Sequence, residues 1–153
     1  MEVYLVQHGE AKSEAEDPGR PLTDKGRSDV ELVATRVGCL GLEVTRILHS
    51  GRLRARQTAE LIADQVMPPC GVAEQEGLGP SDSPEKAKQL VLEAQEPLMI
   101  VGHLPHLSRL ASSLVVGDPT KEVVGFTMGG VVCLRSVDGG WVVAWALVPG
   151  LII

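Results

Sequence analysis

The sequence predicts an α/β fold, a mostly parallel sheet with an antiparallel edge, and three observations lead there. Short apolar runs at residues 3–6, 44–48 and 98–101 each run into a histidine beside glycine or serine: His8-Gly9, His49-Ser50 and Gly102-His103. Continuous apolar runs of this length read as strands buried on both faces, as in parallel sheets. Segments with helical spacing of apolar residues lie between them, the alternation that builds a parallel sheet. Near the end, residues 131–137 and 141–148 flank Asp138-Gly139-Gly140, a hairpin signal that supplies the antiparallel edge.

Taken in order, residues 3–6 form the first strand and the charged stretch 10–20 a surface loop. Thr23 opens a helix with Val30, Val33, Ala34 and Val37 inward, closed by Gly38 and Gly41. After the strand at 44–48, a second helix over 53–66 turns Ala55, Thr58, Ala59, Ile62 and Val66 inward, and Met67-Pro68-Pro69 stops it. Residues 70–82 read as a loop. Ser83-Pro84 reads as an N-cap followed by proline at the first helical position, with Ala87, Leu90, Val91 and Ala94 as the buried face. After the strand at 98–101, Pro105 opens a fourth helix with Leu107, Leu110, Ala111 and Leu114 inward. No repeat or linker interrupts the pattern, so residues 1–153 are expected to form one domain.

Composition narrows the function classes. Hydrophobic residues make up 44% and charged residues 22%, an ordinary globular balance, while aromatics at 3% leave the core to aliphatic side chains and alanine. A formal charge of -6 argues against a general binder of nucleic-acid backbones, so any anion site must be a local basic pocket. Cys39, Cys70 and Cys133 match no zinc or redox spacing and are expected as reduced thiols. The start lacks the basic and apolar regions of a signal peptide, and the apolar stretch 141–153 is shorter than the roughly 20 residues of a bilayer span. The expectation is a cytoplasmic protein with neither membrane nor nucleic acid as partner.

Histidine at a strand end is where α/β proteins meet ligands. A neutral imidazole is a competent nucleophile toward phosphorus near pH 7, because its unperturbed pKa is about 6.5. Covalent catalysis through His8 divides phosphoryl transfer into two easier displacements. The charge on the transferring group then needs positioned cations, and arginine donates in a fork without deprotonating. Ser50-Gly51-Arg52-Leu53-Arg54-Ala55-Arg56-Gln57-Thr58 offers three. Arg52 and Arg56 are four apart and share a helix face, whereas Arg54 lies about 200° round from Arg52. In the first turn of a helix starting near Gly51, Arg54 joins the positive end of the helix dipole, which selects it as the clamp and leaves the other two to solvent. The plainer alternative makes all three arginines solvated surface charges. His103, at the end of another strand, can donate to a phosphoryl oxygen in its protonated form; taken alone it reads as a hydrogen-bonded loop histidine. His103 and His106 are three apart, but no cysteine or carboxylate is spaced to complete a metal site, and none is expected. His49 reads as a strand terminator.

Gln7-His8-Gly9, Arg20-Pro21-Leu22-Thr23, the segment from Ser50 to Thr58 and Gly102-His103-Leu104-Pro105 together resemble the histidine phosphatase superfamily, with the phosphoglycerate mutase-like fold. Within it the chain looks most like the short SixA-type protein phosphohistidine phosphatases, over nearly its whole length. The resemblance implies a three-layer α/β/α sandwich and a phosphohistidine intermediate on His8. It implies phosphate binding by Arg54 and His103 without metal or other cofactor, with Gln7, Gly9 and Arg20 completing the pocket. Larger relatives carry extra helical segments over the site, for which 153 residues leave little room. A shallow pocket suits phosphohistidine on another protein, such as a histidine-containing phosphotransfer domain.

The chain departs from the superfamily's Arg-His-Gly triplet, since Gln7 stands in place of the arginine. Loss of a charge-assisted contact is worth roughly 1.5–3 kcal/mol, or about 10- to 150-fold in rate if felt wholly in the transition state. Arg20 is the expected partial replacement. Glu76 and Asp82 are the candidate general acids, although imidazole is a far better leaving group than an alkoxide and makes less demand for one. The expected activity is therefore a metal-independent phosphohistidine phosphatase. Its rivals are a small-molecule phosphomonoesterase with the same nucleophile, and a weakly active or inactive phosphohistidine-binding module marked by Gln7. Oligomeric state and the place of the apolar ending, inside the core or against a second subunit, stay open at this level.

Overall fold

The structure, a computed structural model describing residues 1–152, is a three-layer α/β/α sandwich around one six-stranded sheet. Strand β1 is Glu2–Gln7, β2 Arg46–His49, β3 Val72–Glu74, β4 Leu98–Gly102, β5 Val131–Val137 and β6 Gly140–Leu147. The helices are α1 Asp24–Cys39, α2 Leu53–Val66, α3 Glu85–Glu93 and α4 His106–Val115. Strand order is β3-β2-β4-β1-β5-β6. The first four strands run parallel; β5 pairs antiparallel with β1, and β6 antiparallel with β5. The mostly parallel sheet, its antiparallel edge and the C-terminal hairpin are as the sequence predicted.

Side-chain alternation along the central strands divides the core in two. Val3 and Leu5 of β1, with Leu98 and Ile100 of β4, face α3 and α4, where Ala87, Val91, Leu107, Leu110 and Ala111 meet them. Tyr4, Val6, Met99 and Val101 face the other way, onto Val30, Val33, Val37, Ala55, Ala59 and Ile62 of α1 and α2. The near-continuous apolar strands are thus those covered by helices on both sides.

Local capping differs from expectation in small ways. Thr23 caps α1, its hydroxyl accepting from the Gly26 N–H at 2.9 Å. Gly38 lies inside α1, and the chain turns away only at Gly41, where φ is +67°. At α3 the cap position falls on Pro84, with the Ser83 hydroxyl accepting from the Glu85 N–H at 3.3 Å. The stretch 70–82, expected to be all loop, contains β3. Three residues of Val-Ala-Glu carry no legible periodicity; the open parallel edge of β2 decides their conformation by pairing. The apolar ending forms a single 3-10 turn, Pro149–Leu151, with Pro149 buried and Ile152 packed against the core under α1 and α2. Ile153 lies outside the described residues.

Because β1, β4 and β2 are parallel neighbours, their C-terminal ends share one edge of the sheet. The sequence had placed a histidine at each of those ends. The loop after β1 is pinned there: Thr23 N–H donates to the Glu10 carbonyl at 3.0 Å, and Ala11 bridges Leu22. Gly26 allows that approach, since a Cβ there would collide with the Glu10 carbonyl.

Candidate active site

The register of β1 on β4 aligns Gln7 with Gly102, so His8 and His103 each follow directly from that pair. The His8 N–H donates to the Gly102 carbonyl at 3.0 Å, extending the ladder by one bond. The two imidazole centroids consequently lie 5.0 Å apart, with the rings inclined at 53°. Both side chains are nearly buried, His8 at 9% and His103 at 2% exposure.

His8 Nδ1 lies 2.7 Å from the carbonyl oxygen of Gly9. A carbonyl can only accept, so Nδ1 carries the proton and the neutral ring keeps the lone pair on Nε2. Burial, and then the positive charges of Arg54 and Arg20, hold the His8 pKa below its ordinary value, against the opposing pull of the Gly9 carbonyl. The ring is therefore neutral at pH 7, with one nitrogen fixed and the other bare. That is the state a nucleophile requires.

His103 is pushed further, to about 3, by burial first and then by the charges of His8, Arg54, Arg52 and His106. The protonated form in which it can donate to a phosphoryl oxygen is not its resting state. Its Nε2 meets the Ser50 hydroxyl at 2.6 Å, while Nδ1 is buried without a partner among the described residues. Ser50 follows the end of β2, so β1, β4 and β2 all contribute to the site.

Arg54 sits in the first turn of α2, as the helical spacing required. Its Nε is buried with no partner among the described residues, and burial, Arg20 and Arg52 all press its pKa downward. Arg56 points elsewhere, paired with Glu60 at 2.8 Å. Arg52 precedes the helix as its cap, with extended φ -64° and ψ 137°. The helical rotation used to sort it therefore does not apply; it is exposed, yet its charge reaches both Arg54 and His103. Arg20 adopts a left-handed φ of 49° and donates from Nε to the Lys12 carbonyl at 3.1 Å.

Gln7 is half-buried, its Oε1 without a partner among the described residues. Gly9 is present but its one donor is spent: its N–H donates to the Thr58 hydroxyl at 3.0 Å. Thr58 in turn donates to the Arg54 carbonyl at 2.8 Å. One buried hydroxyl thus ties the end of β1 to the first turn of α2. Gln57 performs a similar task, its Oε1 accepting from the Leu22 N–H at 2.8 Å. Sequence reasoning assigned no such roles to Ser50, Gln57 or Thr58, although all three stand in the segment that carried the resemblance.

The candidate acids lie apart from the paired imidazoles in their interactions. Asp82 accepts from the Gly79 N–H at 2.7 Å and its charge acts on His106. Glu76 lies in the loop after β3, its carbonyl accepting from the Gln75 amide at 3.1 Å. The charges acting on His8 and His103 include neither carboxylate. His49 Nδ1 accepts from the Gly51 N–H at 3.0 Å and so shapes the turn into α2. His106 is wholly buried; neither ring nitrogen makes a well-formed hydrogen bond among the described residues, although the backbone of Gly77 and of Ser83 acts on it. Among the described residues no group of three or more His, Cys, Asp or Glu is placed to hold a metal ion.

Residues 3–79 match the model of the histidine phosphatase superfamily (branch 1). The chain belongs to the histidine phosphatase superfamily. It is 37% identical over 144 residues to an uncharacterized protein of Picosynechococcus sp., covering 89% of this chain and 86% of that one. It is 29% identical to the phosphohistidine phosphatase SixA of Escherichia coli K12, over 97% of this chain and 94% of that protein. A solved structure of the protein histidine phosphatase SixA complexed with tungstate superposes with a TM-score of 0.83 at 26% identity, covering 98% of both chains. Within the superfamily the likeness is thus to the SixA type, and it supports a phosphatase. Among the described residues no helix is long and apolar enough to cross a membrane.

Proposed function

We propose that this chain, working as one domain, removes phosphate from phosphohistidine on a partner protein by way of a covalent intermediate on His8. The observation that carries the reading is the hydrogen bond from His8 Nδ1 to the Gly9 carbonyl, which leaves Nε2 bare beside His103 and the guanidinium of Arg54. Nε2 attacks phosphorus, and the bond to the substrate imidazole breaks as that nitrogen leaves with its electron pair. Arg54, Arg20 and His103 hold the three peripheral oxygens, and the amide of Gln7 completes the pocket. Arrival of an anion offsets the cations that keep His103 neutral, so proton uptake there strengthens its grip. Water then attacks phosphorus, the bond to Nε2 breaks, and orthophosphate departs with His8 restored.

Two further points support this substrate class. The SixA homologue is described as a protein histidine phosphatase and was solved with tungstate, a tetrahedral oxyanion shaped like phosphate. Among the described residues the charges that shift His8 and His103 include no carboxylate, which suits an imidazole leaving group better than an alkoxide. The test is a single-turnover assay on a histidine-containing phosphotransfer domain charged with phosphoramidate. The expected result is acid-labile phosphate on His8 after rapid quench and none in His8→Ala. Full turnover by His8→Ala would overturn the proposal; rapid hydrolysis of small phosphomonoesters with the phosphoprotein left untouched would replace its substrate.

A further inference from the structure

Three arginines, Arg20, Arg52 and Arg54, bring positive charge to one edge of a chain whose formal charge is -6. Arg54 and Arg20 already have places in the proposed pocket. Arg52, within the segment from Ser50 to Thr58, has none yet.

Its surroundings place it at the site. The Arg52 N–H donates to the Ser50 hydroxyl at 3.3 Å, and that hydroxyl is 2.6 Å from His103 Nε2. The Arg52 backbone is thus two hydrogen bonds from the imidazole. Its side chain is exposed and has no carboxylate partner among the described residues, whereas Arg56, one turn on, is neutralised by Glu60. An unpaired guanidinium whose charge acts on that of Arg54 is an unfavourable arrangement until an anion arrives. Meanwhile the residue next to the nucleophile, Gln7, brings a half-buried amide and no charge.

We infer that Arg52 is a phosphoryl-binding residue of this site, reaching from the cap of α2 to supply the positive charge that position 7 lacks. This rests on the phosphatase reading above and adds to it a specific residue. Two cations then approach the oxygens from the α2 side and one from the loop after β1, with Gln7 donating a neutral hydrogen bond between them.

The experiment compares wild type, Arg52→Ala, Gln7→Arg, the double variant and Arg56→Ala, with inorganic phosphate as the binding probe and the phosphoramidate-charged phosphotransfer domain as substrate. Arg52→Ala is expected to weaken phosphate binding and to lower kcat/KM by about tenfold or more, the worth of one charge-assisted contact. Arg56→Ala leaves both unchanged. Gln7→Arg restores binding and turnover in the Arg52→Ala background, and has a smaller effect where Arg52 is present. Unchanged phosphate affinity in Arg52→Ala overturns the inference, as does failure of Gln7→Arg to rescue it. Undiminished turnover by His8→Ala would instead sink the covalent mechanism, and the phosphate titrations would still read Arg52 independently.

Discussion

The imidazoles of His8 and His103 face each other at 5.0 Å, yet each makes its short contact elsewhere: His8 with the Gly9 carbonyl and His103 with the Ser50 hydroxyl. The first contact sets which nitrogen of His8 is free. Burial first, and then nearby guanidiniums, favour the neutral form of both rings. The site thus sets a neutral His8 under a cationic rim, the state the proposed mechanism requires, and its behaviour with pH follows.

His8 should titrate below the ordinary histidine value of about 6.5, since burial and the charges of Arg54 and Arg20 all disfavour imidazolium. Removing a cation favours imidazolium, so Arg20→Ala is expected to move the midpoint upward. Nitrogen-15 NMR of the imidazoles reads both quantities directly. Turnover of Arg20→Ala on the phosphoprotein should fall as well. An unaltered His8 midpoint together with unaltered turnover would remove Arg20 from the site.

All four histidines have folded-state pKa values below the ordinary one, with burial the leading cause in each. Below about pH 6.5 the unfolded chain therefore binds more protons than the folded one, each group contributing a slope of at most about 1.4 kcal/mol per pH unit. Stability is full above that pH and is lost as pH falls toward the folded values, which for His103 means toward about 3. Urea midpoints should drop between pH 7 and pH 5. His106→Leu removes one of the four groups, so its urea midpoints should fall less steeply over that range. An identical slope in the variant would contradict the account.

Thr58 is the buried clasp between the end of β1 and α2. Thr58→Val keeps the shape but strands the Gly9 N–H, at a cost of about 1–3 kcal/mol measured by denaturant melts. With the His8 loop and the first turn of α2 no longer tied, kcat on the phosphoprotein should fall more than KM rises. Thr58→Ser retains the hydroxyl and should keep both stability and rate near wild type. A loss in Thr58→Ser with none in Thr58→Val would make the methyl, not the hydrogen bonds, the important feature.

Much of the architecture was legible along the chain. Apolar runs at residues 3–6 and 98–101 marked strands buried on both faces, and the spacing from Leu53 to Val66 located α2 to the residue. The pattern of histidines at strand ends, with Arg54 in the first turn of a helix, marked the candidate site because those signals are local: a strand ends, a helix begins, and charge collects at its first turn. What pairing confers was out of reach. Val72–Glu74 became a strand only by meeting the open edge of β2. Arg52 escaped the helical wheel because the turn at Gly51, with φ +87°, delayed the helix start.

By itself the sequence determined most strands and helices, the strand ends and the residue types gathered at them, since periodicity and chain punctuation depend on neighbours a few positions away. Only the tertiary structure decided protonation and connection: that His8 is bare at Nε2, that His103 rests neutral, that Gly9 spends its donor on Thr58. Those outcomes depend on burial and on charges brought together from remote parts of the chain, and desolvation is a property of the assembled interior, not of any segment within it.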